Sequence, residues 1–262
     1  MAPGGRATVG LIGFGALARQ LVASMPGDLR WTALVRGGET RPAPSNVDFA
    51  TNLQSLIDAR PDAIVEVAGQ AAVAAHVPAV LEAGIPVIVA SVGALADPAL
   101  RSALLKTGAA SEAKLILPSG AVGGLDYLAA IANLPDSRVR YTSRKPPSAF
   151  AEEIAERGLG GKAGEIVLFD GSAEEAARRY PKNLNVAMSI ALAAHPAPLA
   201  VRVVVDPAAP GNTHEIDVTS SAGAASLRFA NAPLADNPKT SAITGLSIAA
   251  QLRKLLADMG KM

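Results

Sequence analysis

Residues 10–18, Gly10-Leu-Ile-Gly13-Phe-Gly15-Ala-Leu-Ala18, sit between a short apolar run, Val9 to Ile12, and a helical pattern, Ala16 to Ser24, that puts Leu17, Leu21 and Val22 on one side. Gly13, Gly15 and Ala18 fit the spacing G-x-G-x-x-G/A. In that spacing the first glycine makes a tight turn, the second lets backbone approach a pyrophosphate, and the small third residue lets helix and strand pack closely. The N–H groups of Ala16 and Leu17 at the helix start then present a positive end to phosphate. The plainer reading is a glycine-rich turn without a ligand. Its place between strand and helix predicts a dinucleotide site.

Working outward, Trp31 to Val35 reads as a second strand and runs into Arg36, with Arg41 close behind. An acidic residue here would hold the ribose 2′-hydroxyl of NAD, whereas a guanidinium suits a 2′-phosphate through charge-assisted hydrogen bonds. Arg36 therefore predicts that NADP is accepted. Glu39 keeps NAD open, and a solvated loop charge is the bland role for Arg36. Further on, Thr51 to Asp58 reads as a helix stopped before Pro61, Ala63 to Val67 as a strand, and Ala71 to Ala83 as a helix ending at Gly84. Pro86 to Val92 has the continuous apolar character of a strand buried on both faces. Asp97 and Pro98 start a helix through Lys106, and Lys114 to Leu117 gives another strand. Such alternation builds a doubly wound parallel sheet, so residues 1–120 are expected to form an α/β Rossmann domain. Ligands collect at the carboxyl ends of such strands, which nominates Ala68, Gly69, Ser91 and Gly93 for the nicotinamide half of the cofactor site. Ordinary turn chemistry is their other role.

After Gly120 the texture changes. Leu125 to Ala132 reads as a helix, followed by the strands Val139 to Thr142, Glu165 to Phe169, Val201 to Val205, His214 to Thr219 and Ser226 to Ala230. Strands with few helices between them predict a mostly antiparallel sheet and a second, α+β domain over residues 121–240. Ser241 to Leu256 is helical, with Ile243, Leu246, Ile248, Leu252 and Leu255 as its apolar positions. This last segment, 241–262, is expected to pack back on the first domain.

Composition narrows the function. Half of the 262 residues are hydrophobic, and 24 Lys plus Arg balance 23 Asp plus Glu, so the chain is globular and carries no electrostatic footprint for nucleic acid or an anionic membrane. No apolar stretch approaches the ~18 residues of a membrane span. Without cysteine there is no disulfide, thiolate metal site or thiol nucleophile. No metal is expected. The N-terminus does not read as a secretory leader, and a cytoplasmic protein with a small-molecule substrate is expected. Of three histidines, His76 lies in a helical pattern and His195 in a proline-rich turn. His214 differs: in His214-Glu-Ile-Asp-Val218 the period of two sets it with Ile216 and Val218 on the covered face. An imidazole there suits proton transfer, and a hydrogen-bonded core residue is the alternative.

Several segments together resemble the L-aspartate dehydrogenase family: Glu66-Val-Ala-Gly-Gln70, Val89-Ala-Ser-Val-Gly-Ala-Leu-Ala-Asp97, Leu117-Pro-Ser-Gly-Ala-Val-Gly-Gly-Leu-Asp126, Thr142-Ser-Arg-Lys-Pro-Pro147, Tyr180-Pro-Lys-Asn-Leu-Asn-Val-Ala187, Gly211-Asn-Thr-His214 and Asn237-Pro-Lys-Thr-Ser241. They span nearly the whole chain. The resemblance implies a homodimer with a Rossmann domain, an α+β substrate domain and the cofactor, NAD or NADP, in the cleft between them. It implies oxidation of L-aspartate to iminoaspartate, which hydrolyses to oxaloacetate and ammonia or feeds NAD biosynthesis. It assigns His214 as the catalytic histidine and sets Ala121 and Asn185 against the dinucleotide. A dicarboxylate also needs clamps, for which Arg144, Lys145, Lys182, Lys239, Thr240 and Ser241 are candidates, each of which could instead be an exposed polar group. Val67 stands where relatives often have cysteine. Two alternatives remain: another dehydrogenase of an aspartate-derived metabolite such as homoserine, and a non-catalytic NADPH-binding sensor. Aspartate-semialdehyde chemistry is disfavoured, since its acyl-enzyme needs a cysteine.

Overall fold

The computed structural model describes residues 6–37, 42–180 and 184–262. The chain divides into two compact units, residues 1–120 with 244–262, and residues 121–243.

In the first unit β1 (Thr8–Ile12), β2 (Arg30–Leu34), β3 (Val47–Ala50), β4 (Ala63–Glu66), β5 (Val87–Val89) and β6 (Leu115–Ile116) form one parallel sheet in the order β3-β2-β1-β4-β5-β6. Helices α1 (Ala16–Ala23), α2 (Leu53–Asp58), α3 (Gln70–Glu82) and α4 (Pro98–Ser111) make the crossovers. The strand order reverses beside β1, the point at which doubly wound sheets bind ligands outside their carboxyl ends. The strands are apolar on both sides, as burial between helices requires: Leu11, Ala33, Val65 and Ile88 join Ala18 and Leu21 of α1 in one core. Ile248, Leu252 and Leu256 of the last helix, α9 (Ala242–Asp258), belong to that same core.

Three sequence expectations change here. The run Pro86 to Val92 is not one strand: β5 ends at Val89, and Val92 to Ala96 form a 3-10 turn. Val92, Ala94 and Leu95 are as buried as the strand, so hydrophobicity alone cannot separate the two. Strand β3 was not anticipated; it is a short edge strand that exists by pairing with β2. Helix α4 runs five residues past Lys106, to Ser111. Its start is as expected, with the Asp97 carboxylate accepting from the N–H groups of Ala99 and Leu100.

The second unit holds β7 (Arg138–Lys145), β8 (Ile166–Ser172), β9 (Leu199–Val205), β10 (Asn212–Ser220) and β11 (Gly223–Asn231), ordered β11-β10-β7-β9-β8. Every pairing is antiparallel except β7 with β9. Leu128 and Ile131 of α5 (Leu125–Ile131), Ala176 of α7 (Ala173–Arg179) and Ile190 of α8 (Leu184–Ala194) cover the face made by Tyr141, Val201, Ile216 and Val218. Helices α7 and α8, with α6 (Ala151–Glu156), correct the expectation of strands with little helix between them. Helix α8 is apolar nearly all round and lacks the one-sided stripe that betrays a helix, while α7 depends on a capping box between Ser172 and Glu175. A hairpin of β12 (Pro233–Leu234) and β13 (Asn237–Ser241) precedes α9. Among the described residues, no helix is long and apolar enough to cross a membrane.

Candidate active site

On the first unit, the glycine loop has the shape its spacing predicts. Gly13 has φ +95°, and a Cβ there would fall 2.8 Å from Ala68 Cβ and 3.0 Å from Ala68 Cα. Only glycine fits that turn. Gly15 is different, because a Cβ there would meet nothing within 4 Å and the backbone stands open to an approaching group. Gly15 caps α1 without a side-chain hydrogen bond, and no acidic residue occupies the first turn, so the helix start at Ala16 and Leu17 is neither capped nor neutralised by a side chain. Ala18 is fully buried against the sheet. These features fit a pyrophosphate, which needs close backbone, N–H donors and the positive end of a helix. Arg36 is exposed just beyond β2. Glu39 and Arg41 lie outside the described residues.

At the ends of the next two strands, Ala68 and Gly69 follow β4, and Ser91 and Gly93 follow β5. Gly69 has φ +128° and ψ 168°, a region essentially reserved for glycine. One side chain joins these turns. Glu66, the last residue of β4, is completely buried, and its Oε1 accepts from the N–H groups of Ala68 (2.8 Å) and Gly69 (2.7 Å) and from the Ser91 hydroxyl (3.0 Å). Its Oε2 accepts from the Ser91 N–H at 3.0 Å. Burial pushes this carboxyl up, while those four donors pull it down. Nothing local in Glu66-Val-Ala-Gly-Gln70 marks the role of Glu66, because its Ser91 partner is 25 residues away.

On the second unit, β10 carries His214 into the covered face with Ile216 and Val218, all of them buried. Nδ1 of His214 lies 2.8 Å from the hydroxyl of Tyr141, a buried residue on β7. The two rings lie 22° from parallel with centroids 6.0 Å apart. Burial, and then the positive charge of Lys145, push the imidazole down to about 4, so it is neutral at pH 7. Lys145 extends from the end of β7 on the strand face of Tyr141 and Ser143, with Nζ 6.0 Å from the Phe150 ring centre, and burial pushes its ammonium down. Burial also pushes the Tyr141 phenol up, so its proton is held.

The other candidates are less concentrated. Arg144 alternates to the opposite side of β7, where Nε meets Glu215 at 2.7 Å and Nη1 meets Glu165 at 2.6 Å, ion pairs that brace the sheet. Thr240 Oγ1 accepts from Asn237 Nδ2 at 3.0 Å, and Ser241, the last residue of β13, is buried just before α9. Ala121 is buried, its carbonyl accepting from Asn231 Nδ2 at 2.8 Å. Asn185 is exposed on the first turn of α8, with its carbonyl accepting from Ser189 Oγ at 3.0 Å. Lys182 lies outside the described residues, as does the side chain of Lys239. His76 is half-buried on α3 and His195 is exposed.

The family described as aspartate dehydrogenase, C-terminal, matches residues 126–255, and that described as homoserine dehydrogenase, NAD binding domain, matches residues 13–118. An L-aspartate dehydrogenase 2 of Bordetella bronchiseptica is 42% identical over 258 residues, covering 95% of this chain and 97% of that protein. The chain belongs to the L-aspartate dehydrogenase family. An L-aspartate dehydrogenase of Ruegeria pomeroyi is 39% identical, covering 96% of this chain and 93% of its own. The crystal structure of aspartate dehydrogenase from Thermotoga maritima superposes with a TM-score of 0.79 at 30% identity, covering 95% of this chain and 97% of that one. A hyperthermophilic archaeal homoserine dehydrogenase in complex with NADPH shares the fold alone, at a TM-score of 0.62 and 10% identity over 97% of this chain and 98% of that one.

The depressed imidazole makes a stability prediction. His214 protonates near pH 4 in the folded chain and near 6.5 when unfolded, so between these values the unfolded state holds more protons. Its contribution is complete above about pH 6.5 and is lost as pH falls toward 4, by up to ~3 kcal/mol. Urea unfolding at pH 7, 5.5 and 4.5 should show a steeper fall for the native chain than for His214→Gln. Parallel curves would refute the buried neutral imidazole.

Proposed function

We propose that the protein oxidises L-aspartate to iminoaspartate with NAD or NADP as acceptor, the imine then hydrolysing to oxaloacetate and ammonia. The observation that carries this reading is the buried, neutral imidazole of His214, with the ammonium of Lys145 on the same sheet side, in a member of this family.

A bound nicotinamide supplies the acceptor for the hydride that leaves Cα. The residues of the chain bind and move protons. The backbone around Gly13 to Leu17 takes the pyrophosphate, and the turns at Ala68–Gly69 and Ser91–Gly93 serve the nicotinamide half. Ala121 and Asn185 also belong to the cofactor site on family grounds. Lys145 attracts a substrate carboxylate, with Lys182, Thr240 and Ser241 as further clamps. Nδ1 of His214 is engaged with Tyr141, which leaves Nε2 for the substrate. As the Cα–H bond breaks with its electron pair and C=N forms, Nε2 accepts a proton from the substrate ammonium. A base that protonates near pH 4 is weak. Two carboxylates arriving beside Lys145 and His214 favour the imidazolium, so the substrate itself raises the basicity of the residue that deprotonates it.

Tyr141 matters here for its effect on the tautomer. Nε2 acts as a base only when the ring proton sits on Nδ1, which then donates to the Tyr141 oxygen. Tyr141→Phe should lower kcat by about 10- to 100-fold, from the loss of one buried hydrogen bond, with KM within about threefold. Unchanged kcat would remove Tyr141 from the mechanism. Arg36→Ala should weaken NADP by about tenfold and NAD by less than about threefold, since only the former has a 2′-phosphate to lose. Equal losses would show that Arg36 does not read that position.

Family membership also supports a homodimer working in the cytoplasm and supplying pyridine-nucleotide biosynthesis. The near-balanced charge suits a small-molecule partner over a polyanion or membrane surface. Homoserine is the competing substrate, favoured by the match over residues 13–118, yet that match is to a nucleotide-binding domain, whereas residues 126–255 match an aspartate dehydrogenase. Purified protein offered L-aspartate, D-aspartate, L-glutamate and homoserine with each oxidised cofactor should reduce nicotinamide with L-aspartate alone. Turnover with homoserine and none with L-aspartate would reverse the assignment, and cofactor binding without turnover would favour a sensor.

A further inference from the structure

Glu66 has an unusual place for a carboxylate. It ends a central strand of a parallel sheet, is completely buried, and faces donors: the N–H groups of Ala68, Gly69 and Ser91 and the hydroxyl of Ser91. An amide N–H can only donate, so each of the two carboxylate oxygens must act as an acceptor. Buried acidic groups are costly and normally paired with a cation, yet here every bond goes to a turn. Those turns follow adjacent strands: backbone pairing sets Glu66 beside Val89, and the Ala90 N–H donates to the Glu66 carbonyl at 3.0 Å. The backbone therefore joins β4 to β5, and the side chain continues that connection beyond the strand ends, where no ladder can hold the chain. Ala68 is in turn the residue against which Gly13 packs.

We propose that Glu66 is a positioning residue for the cofactor: its carboxylate holds the turns 68–69 and 91–93 in the spacing that receives the nicotinamide half of the dinucleotide. The inference rests on the reading that the first unit binds NAD or NADP at Gly13 to Leu17. In the strand order β3-β2-β1-β4-β5-β6 the pyrophosphate belongs beside β1 and the adenosine ribose toward β2, which leaves β4 and β5 for the other half. Glu66 touches neither cofactor nor substrate in this account.

Glu66→Gln keeps size and shape but turns an NH₂ group toward an N–H donor, and Glu66→Asp keeps charge but is one methylene too short to bridge both turns. Their affinities for NAD and NADP, and for ADP-ribose and its 2′-phosphate, should be measured by calorimetry, with circular dichroism as a check on folding. Both variants should bind the whole dinucleotide about tenfold or more weakly, as expected when buried donors lose their acceptor, and the nicotinamide-free fragments within about threefold of the native protein. Should either variant fail to fold, Ser91→Ala, which deletes one donor, should lower dinucleotide affinity by about two- to fivefold and spare the fragments, on the scale of one hydrogen bond. Equal losses for dinucleotide and fragments would make Glu66 a general structural residue, and unchanged dinucleotide affinity would overturn the proposal. If the native protein binds none of the four ligands, the cofactor reading itself fails.

Discussion

His214→Ala should lower kcat by about 10²- to 10⁴-fold, the usual worth of a positioned general acid or base. Affinity for NAD and NADP should stay within about threefold, because the groups that suit the phosphates are the loop backbone and helix start at Gly13 to Leu17. The substitution also leaves the Tyr141 hydroxyl without its Nδ1 partner, which should cost about 1–3 kcal/mol of stability, so folding must be checked alongside kinetics. Added imidazole supplies a free base, and partial recovery of turnover in its presence would separate lost proton transfer from a distorted sheet. A variant with native kcat would leave His214 as a hydrogen-bonded core residue, the bland reading its sequence position allowed.

The second large effect is at Gly13. Gly13→Ala should weaken NAD and NADP by about 100-fold or more, since a left-handed φ costs a side chain about 1–3 kcal/mol and the new methyl would displace the turn it meets. The obstacle is backbone as well as side chain, with Ala68 Cα 3.0 Å from the added carbon, so rotation of a flexible group cannot relieve it. Gly15→Ala is a useful contrast: it meets no protein atom, and any loss there measures how closely the ligand approaches. Titration of both variants with NADH, followed by nicotinamide fluorescence, distinguishes the two. Affinity within threefold of native for Gly13→Ala would mean that this turn does not set the cofactor's place.

Legibility in the sequence follows the range of the interactions. The loop at Gly13 to Ala18 could be read because its strand, turn and helix are contiguous and the glycine spacing is local. His214 could be placed on the covered face because alternation along β10 needs only five residues, His214 to Val218. Features that depend on distant partners could not be read. Nothing in residues 47–50 announces an edge strand until β2 pairs with it, and nothing in 184–194 reports a helix when the segment is apolar nearly all round. The same limit hid Tyr141, 73 residues from the imidazole it bonds. It also explains why the sequence alone does not separate Arg144 from Lys145 as clamps. Adjacent residues of a strand face opposite ways, and only cross-strand pairing shows that Arg144 meets Glu215 and Glu165 while Lys145 shares the side of His214.

The same imidazole explains two properties that would otherwise be separate. Its burial and its nearness to Lys145 keep it neutral without substrate, and the same positive charge that helps depress it also attracts a substrate carboxylate. The acid limb of kcat should therefore lie at higher pH than that of kcat/KM, which reports the free enzyme.

A single-turnover reaction with L-[2-²H]aspartate and oxidised cofactor tests the central chemistry most directly. Mass spectrometry should find the deuterium on the reduced nicotinamide ring, with a slowed chemical step. Deuterium released to water, with none on the ring, would contradict hydride departure from Cα and leave His214 without the amine proton assigned to it.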